Sequence, residues 1–183
     1  MTTPAASPEP DLRYPIGRLE RQTSLSAEAR RAAVDALAAA PTELRASVAG
    51  LDDTQLDTPY RPGGWTVRQL VHHMADSHIN AYTRFRLALT ESEPTIKPYD
   101  EATWAELEDG RTMPIGVSLD LLDTLHVRLV NLLRATAPDA FQRTLRHPEN
   151  GVMTIDALLS IYSWHGRHHT AHVTALRERM GWS

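Results

Sequence analysis

The stretch Gly63-Gly64-Trp65-Thr66-Val67-Arg68-Gln69-Leu70-Val71-His72-His73-Met74-Ala75-Asp76-Ser77-His78 decides how the rest of the chain is read. Two glycines turn the chain in, and Thr66 offers an N-cap hydroxyl. Gln69, three residues on, can reach back to the cap, and Trp65 and Leu70 take the positions of a hydrophobic staple. The spacing predicts a helix from Thr66 to about Leu89, ahead of a loop that contains Pro94 and Pro98. Before it, Ala33, Val34, Leu37, Leu44 and Val48 trace an apolar stripe from Ser26 to Gly50, where Pro41 is expected to kink or break the helix. After it come a short amphipathic turn at Glu101 to Leu107 and a third long helix from Ser118. That helix carries Leu121, Leu122, Leu125, Leu129, Leu132 and Leu133 and must end before Pro138. Asn150-Gly151 within Thr144 to Met153 suits a small hairpin. The last helix starts near Thr154, and Gly181 stops it after Met180.

Four long amphipathic helices without a strand-rich region predict an all-α protein, a four-helix bundle over residues 25–183 with a small hairpin before the last helix. Residues 1–24, with prolines at 4, 8, 10 and 15, are expected to form an extended N-terminal arm. The two long inter-helix loops suggest crossover connections.

Composition narrows the function. The chain of 183 residues has 42% apolar and 23% charged residues and a net charge of −4. A generally basic nucleic-acid footprint is absent, and no apolar run reaches the roughly 20 residues of a membrane span. Without cysteine there is no disulfide, thiolate ligand or cysteine nucleophile, so a thiol in the chemistry must arrive with a substrate. Met1 to Glu9 lack a basic and apolar leader pattern, so a cytoplasmic location is expected.

Nine histidines remain, four of them between His165 and His172. At roughly 100° per residue, His165 and His169 fall near the middle of the stripe drawn by Leu158, Ile161, Tyr162 and Leu176. His168 falls toward its edge and His172 again inside it. Imidazoles one turn apart can converge on one metal ion, which satisfies several buried rings at once. Helix two offers His72, His73 or His78 as a third ligand, and the helical wheel leaves the choice open with His78 nearest the stripe centre. His126 and His147 read as surface or packing histidines, and Asp76 as part of a solvated helix face.

The runs Leu56 to Arg61, Gly63 to Gln69, His72-His73, Ala75 to His78, Pro98-Tyr99, Trp164-His165 and Met180 to Ser183, with Tyr14 to Gly17 near the start, resemble the DinB/YfiT-like superfamily of metal-binding four-helix bundles. The resemblance spans about Asp11 to Ser183. It implies a divalent metal, zinc or nickel foremost, one per subunit, held by one histidine of the second helix and an i,i+4 pair of the last. Position by position these match His73, His165 and His169, and the resemblance thus selects His73 over His78. It also implies a homodimer.

Three neutral imidazoles leave coordination positions open, as in catalytic zinc sites. Such a metal can lower the pKa of bound water for hydrolysis or deprotonate a thiol for transfer. The resemblance carries both labels, metal-dependent hydrolase and bacillithiol-type S-transferase. The leading expectation is transfer of a low-molecular-weight thiol to an electrophilic small molecule. Metal-dependent hydrolysis is the alternative, and a non-catalytic metal-binding stress scaffold a further one. The sequence offers no convincing acid or base beyond the metal centre. Metal affinity is expected to fall as the pH drops through roughly 6, where free imidazoles protonate.

Overall fold

The computed structural model describes residues 11–182, so the arm's first ten residues lie outside it. Among the described residues four long helices make the bundle: α1 (Ala27–Val48), α3 (Val67–Thr90), α6 (Gly116–Ala135) and α7 (Ile155–Met180). The short helices α2 (Asp53–Leu56), α4 (Glu101–Ala105) and α5 (Glu108–Thr112) lie in the long loops. A single 3-10 turn at Pro138–Gln142 precedes the hairpin of β1 (Thr144–His147) and β2 (Gly151–Thr154).

Local chemistry sets the boundaries. Ser26, Thr66 and Thr154 cap α1, α3 and α7 with their hydroxyls, and Thr66 and Gln69 close a complete capping box. Gly181, at φ +66°, ends α7 in the left-handed conformation that glycine takes without steric cost. The third long helix begins at Gly116 rather than Ser118, and α2 and α5 are additions too short for periodicity to reveal.

Pro41 neither breaks nor ends α1, which runs through it with the ring buried against the core. The expected break is absent, and the missing amide finds a use described below.

Helices α1 and α3 each pack on both α6 and α7, so α1 faces α3, and α6 faces α7, across the diagonals. The α1–α3 loop is thus a crossover, as expected. The longer α3–α6 loop instead joins neighbours, because its length is taken up by α4 and α5, which pack on α3. One core cluster gathers Leu37, Phe85, Leu129, Leu133, Leu145 and Leu159 at the hairpin end, and a second gathers Leu44, Leu70, Val71, Leu122, Val173 and Leu176 at the other. A fully buried leucine or phenylalanine contributes about 1.5–3 kcal/mol.

The hairpin would be marginal alone. It is held because Leu145 is fully buried in the first cluster and Thr95 bridges to Arg146. Residues 11–24 form turns without helix, and their end is tied down where Leu25 N–H donates to the buried Asp156 carboxylate, which also accepts from Arg30 and Gln142.

Candidate metal centre

Where the two core clusters meet, the interior turns to imidazole. His73 from α3 and His165 and His169 from α7 each present a ring nitrogen within 4.8 Å of the others. His73 Nε2 and His165 Nε2 are 3.3 Å apart. Two nitrogens bound to one tetrahedral ion at about 2.0–2.1 Å would stand about 3.3 Å apart, so the donor set suits a divalent cation. His169 completes the group, and its Nδ1 is buried with no hydrogen-bond partner.

Close helix packing sets this geometry. Gly166 lies between the two ligand candidates of α7, and a Cβ there would come within 3.0 Å of the Ala40 Cβ. The glycine lets α7 approach α1 and fixes the depth of the flanking histidines.

Burial pushes the His73 imidazole down to about 4, and burial followed by neighbouring imidazoles holds His165 and His169 well below the ordinary range. All three are neutral at pH 7, the protonation state of a metal ligand. Proton competition therefore reaches His73 nearer pH 4 than the 6 expected from free imidazole.

The histidines line a cavity of about 470 Å³. The loop from Pro59 to Thr66 forms one wall: Tyr60 N–H donates to the Trp65 carbonyl, Gly63 adopts φ +66°, and a Cβ on Gly64 would strike the Arg61 side chain at 2.8 Å. Only glycine fits that approach. The loop sets Trp65 against His73, with ring centroids 4.5 Å apart, and Tyr60 against His172 at 4.2 Å. Arg13 and Tyr14, in the described part of the arm, line the same cavity. Glu101, at the start of α4, is the carboxylate among the described lining residues. Sequence reading missed Glu101, Tyr60, Trp65 and Arg61 as site residues, although the glycines of the Tyr60 to Trp65 run signalled an unusual backbone.

The remaining histidines separate cleanly. His72 faces away and bonds Ser118 Oγ at 2.7 Å and the Met113 carbonyl at 3.1 Å. His78 is fully buried behind His165 rather than beside it, and His126 is buried against α1. His147 stays on the hairpin, where its ring accepts from the Glu149 amide. Asp76 is half-buried and pushed up to about 6 by burial and by Asp109, so it is only partly solvated, and it is not among the residues lining the cavity.

An all-α bundle with a convergent histidine triad defines a class, and comparison with known proteins makes it specific. The DinB superfamily profile matches residues 36–173, and the chain belongs to that superfamily. A Bacillus mycoides protein named as a candidate metal-dependent hydrolase is 52% identical over 94% of this chain and 99% of its own length. A Bacillus cereus protein of the same name is 51% identical over the same shares. The solved structure of YfiT from Bacillus subtilis, described as a probable metal-dependent hydrolase with an unusual four-helix bundle topology, superposes with a TM-score of 0.91. It is 48% identical and covers 94% of this chain and 99% of its own. A second four-helix bundle protein, TT2238, shares the fold at a TM-score of 0.56 and 22% identity.

Proposed function

We propose that this protein is a metal-dependent hydrolase whose divalent ion is held by His73, His165 and His169. The observation that carries the reading is the convergence of three neutral imidazole nitrogens within 4.8 Å at the edge of a cavity large enough for a small-molecule substrate. When bound there, the ion supplies Lewis acidity that activates a small nucleophile near neutral pH. The chain supplies the rest. Glu101, which lines the cavity, is the candidate proton acceptor, Trp65 packs on the His73 ring and limits water there, and Arg61 favours a substrate with an anionic group. The names of the similar proteins support hydrolysis.

A second reading, transfer of a low-molecular-weight thiol of bacillithiol type to an electrophile, draws on the cationic side of the cavity. Arg61 suits an anionic thiol, and the cysteine-free chain holds no competing one. Zinc and nickel both suit imidazole donors. A homodimer and a cytoplasmic setting remain part of the proposal.

The test is turnover by protein loaded with zinc or nickel. An ester and amide panel is run without thiol, and an electrophile panel with and without added thiol. Hydrolysis without thiol that is lost in His73→Ala supports the first reading. Thiol-dependent consumption of the electrophile alone replaces it with the second. No turnover of either panel by fully loaded protein would leave the scaffold.

A further inference from the structure

Pro41 lies within α1 and has no N–H, so the Leu37 carbonyl four residues earlier lacks its helical donor. The imidazole of His126, from α6, takes that place, with its Nδ1 2.6 Å from the Leu37 oxygen. Two further contacts continue inward: His126 Nε2 lies 2.9 Å from His78 Nδ1, and His78 Nε2 lies 3.3 Å from His165 Nδ1. His78 and His126 are 0% and 2% exposed.

The order of protons along this line is forced from its outer end. A carbonyl oxygen only accepts, so His126 Nδ1 carries the hydrogen. In a neutral ring its Nε2 then holds a lone pair and must receive one from His78 Nδ1–H. His78 Nε2 is left as the acceptor for His165 Nδ1–H, and the His165 Nε2 lone pair faces His73. Were His126 to protonate, both its nitrogens would donate, the line would reverse, and His165 Nε2 would carry a proton. Burial works against that by holding the ring's proton affinity down.

We propose that Pro41, the Leu37 carbonyl, His126 and His78 form a relay that fixes the Nδ1–H tautomer and the orientation of His165, presetting its Nε2 for a divalent cation. Outer-shell partners of ligating histidines are usually carboxylates, carbonyls or water. Here two imidazoles extend the reach of one carbonyl across the bundle. His78 and His126 are positioning residues, since both act through His165. The use of the relay rests on the proposed metal site, whereas its tautomers do not.

Long-range ¹H–¹⁵N correlation spectra of the metal-free protein at pH 7.5 test the order directly. His126, His78 and His165 should all appear as neutral Nδ1–H rings, and an Nε2–H tautomer at His78 or His165 overturns the relay. Zinc affinity is then measured by competition with a chromophoric chelator. His126→Leu should bind zinc roughly 10–100-fold more weakly, and His126→Gln, which can both donate and accept, should recover part of the loss. Wild-type affinity in folded His126→Leu overturns the positioning role. If His126→Leu does not fold, Pro41→Ala supplies a backbone N–H that competes for the Leu37 carbonyl. It should weaken zinc binding several-fold and reduce the His126 Nδ1–H population, and unchanged affinity and tautomers there would refute the carbonyl's part. Wild-type protein that binds no zinc while keeping all three Nδ1–H tautomers would refute the metal reading, and the relay's use with it, without touching the hydrogen-bond order.

Discussion

Helix α7 carries two pairs of histidines with identical spacing, His165/His169 and His168/His172, and they do different things. Spacing does not distinguish them, and neither does separation: His168 and His172 bring their Nε2 atoms to 3.1 Å, close to the 3.3 Å between His73 and His165. Their surroundings do. The first pair meets a third imidazole from α3 and has a hydrogen-bond acceptor behind His165. The second pair bonds to itself and packs on Trp164 and Tyr60, and burial first, then His168, Arg61 and Arg179, press the His172 imidazole down. Two guanidinium groups oppose a cation, so the second pair shapes the cavity wall while the first can hold a metal.

The largest effect expected from this contrast is on metal binding. Removing His73 or His169 by alanine should weaken zinc binding by more than the roughly 100-fold typical of losing an outer-shell partner. His172→Ala should change it less than about 3-fold. Competition titration of the three variants, with metal content checked by mass spectrometry, decides the point, and comparable losses in all three would erase the distinction.

Acid stability comes next in size, and here the two pairs should behave alike. Burial sets the His73 and His168 imidazoles at about 4 and His172 at about 3, against 6.5 when unfolded. Because the folded values are depressed, the unfolded chain takes up protons first. Stability is complete above about 6.5 and declines as the pH falls toward 4, by up to about 1.4 kcal/mol per pH unit for each such ring. Urea midpoints of metal-free protein between pH 7.5 and 4.5 should fall steeply. His172→Ala should make that decline shallower by about one proton without altering zinc affinity at pH 7.5. Added zinc should delay the decline by engaging only the first pair.

A third effect separates the pairs by packing. Gly166→Ala pushes a methyl into Ala40 at 3.0 Å beside the ligand candidates, and overpacking of this kind costs about 1–3 kcal/mol. The shift of α7 should weaken zinc binding, measured by the same titration, and lower the thermal midpoint. Tyr60→Phe, which keeps the ring against His172, should leave both near wild type.

These contrasts show which parts of the molecule the sequence could carry. The helices were legible because caps such as Thr66 and Gln69 and a 3.6-residue stripe are local. The pairing of His165 with His169 was legible for the same reason. Which α3 histidine joins them was not, since His73 and His78 both lie toward the core and the wheel favours the more central one. The structure shows that His78 is central because it stands behind His165 in the line from Leu37, a long-range arrangement across all four long helices. Pro41 misled for a related reason: its local effect is to weaken a helix, but here the freed carbonyl is taken up by His126. Glu101 escaped notice because α4 reaches the cavity only once the α3–α6 loop has folded back onto α3.

The smallest expected effect belongs to Asp76, three residues from His73 on the same helix but turned toward α5. Its carboxyl is pushed up to about 6 by burial and by Asp109, against about 3.9 when unfolded. A raised acid contributes stability that is present in full below about 3.9 and is lost as the pH rises through 6, so at pH 7.5 the native state bears the whole cost of the charge. Asp76→Asn keeps the shape and removes that charge. With the group half-exposed and solvent screening the repulsion, the gain at pH 7.5 should be about 1 kcal/mol. It should appear as a rise of a few degrees in thermal midpoint that disappears at pH 4. Zinc affinity should not move, because Asp76 is not among the residues lining the cavity. A change in zinc affinity as large as that from His126→Leu would show that the α5 face of α3 communicates with His73, and the contrast between metal-holding and wall-forming residues would have to be redrawn to include it.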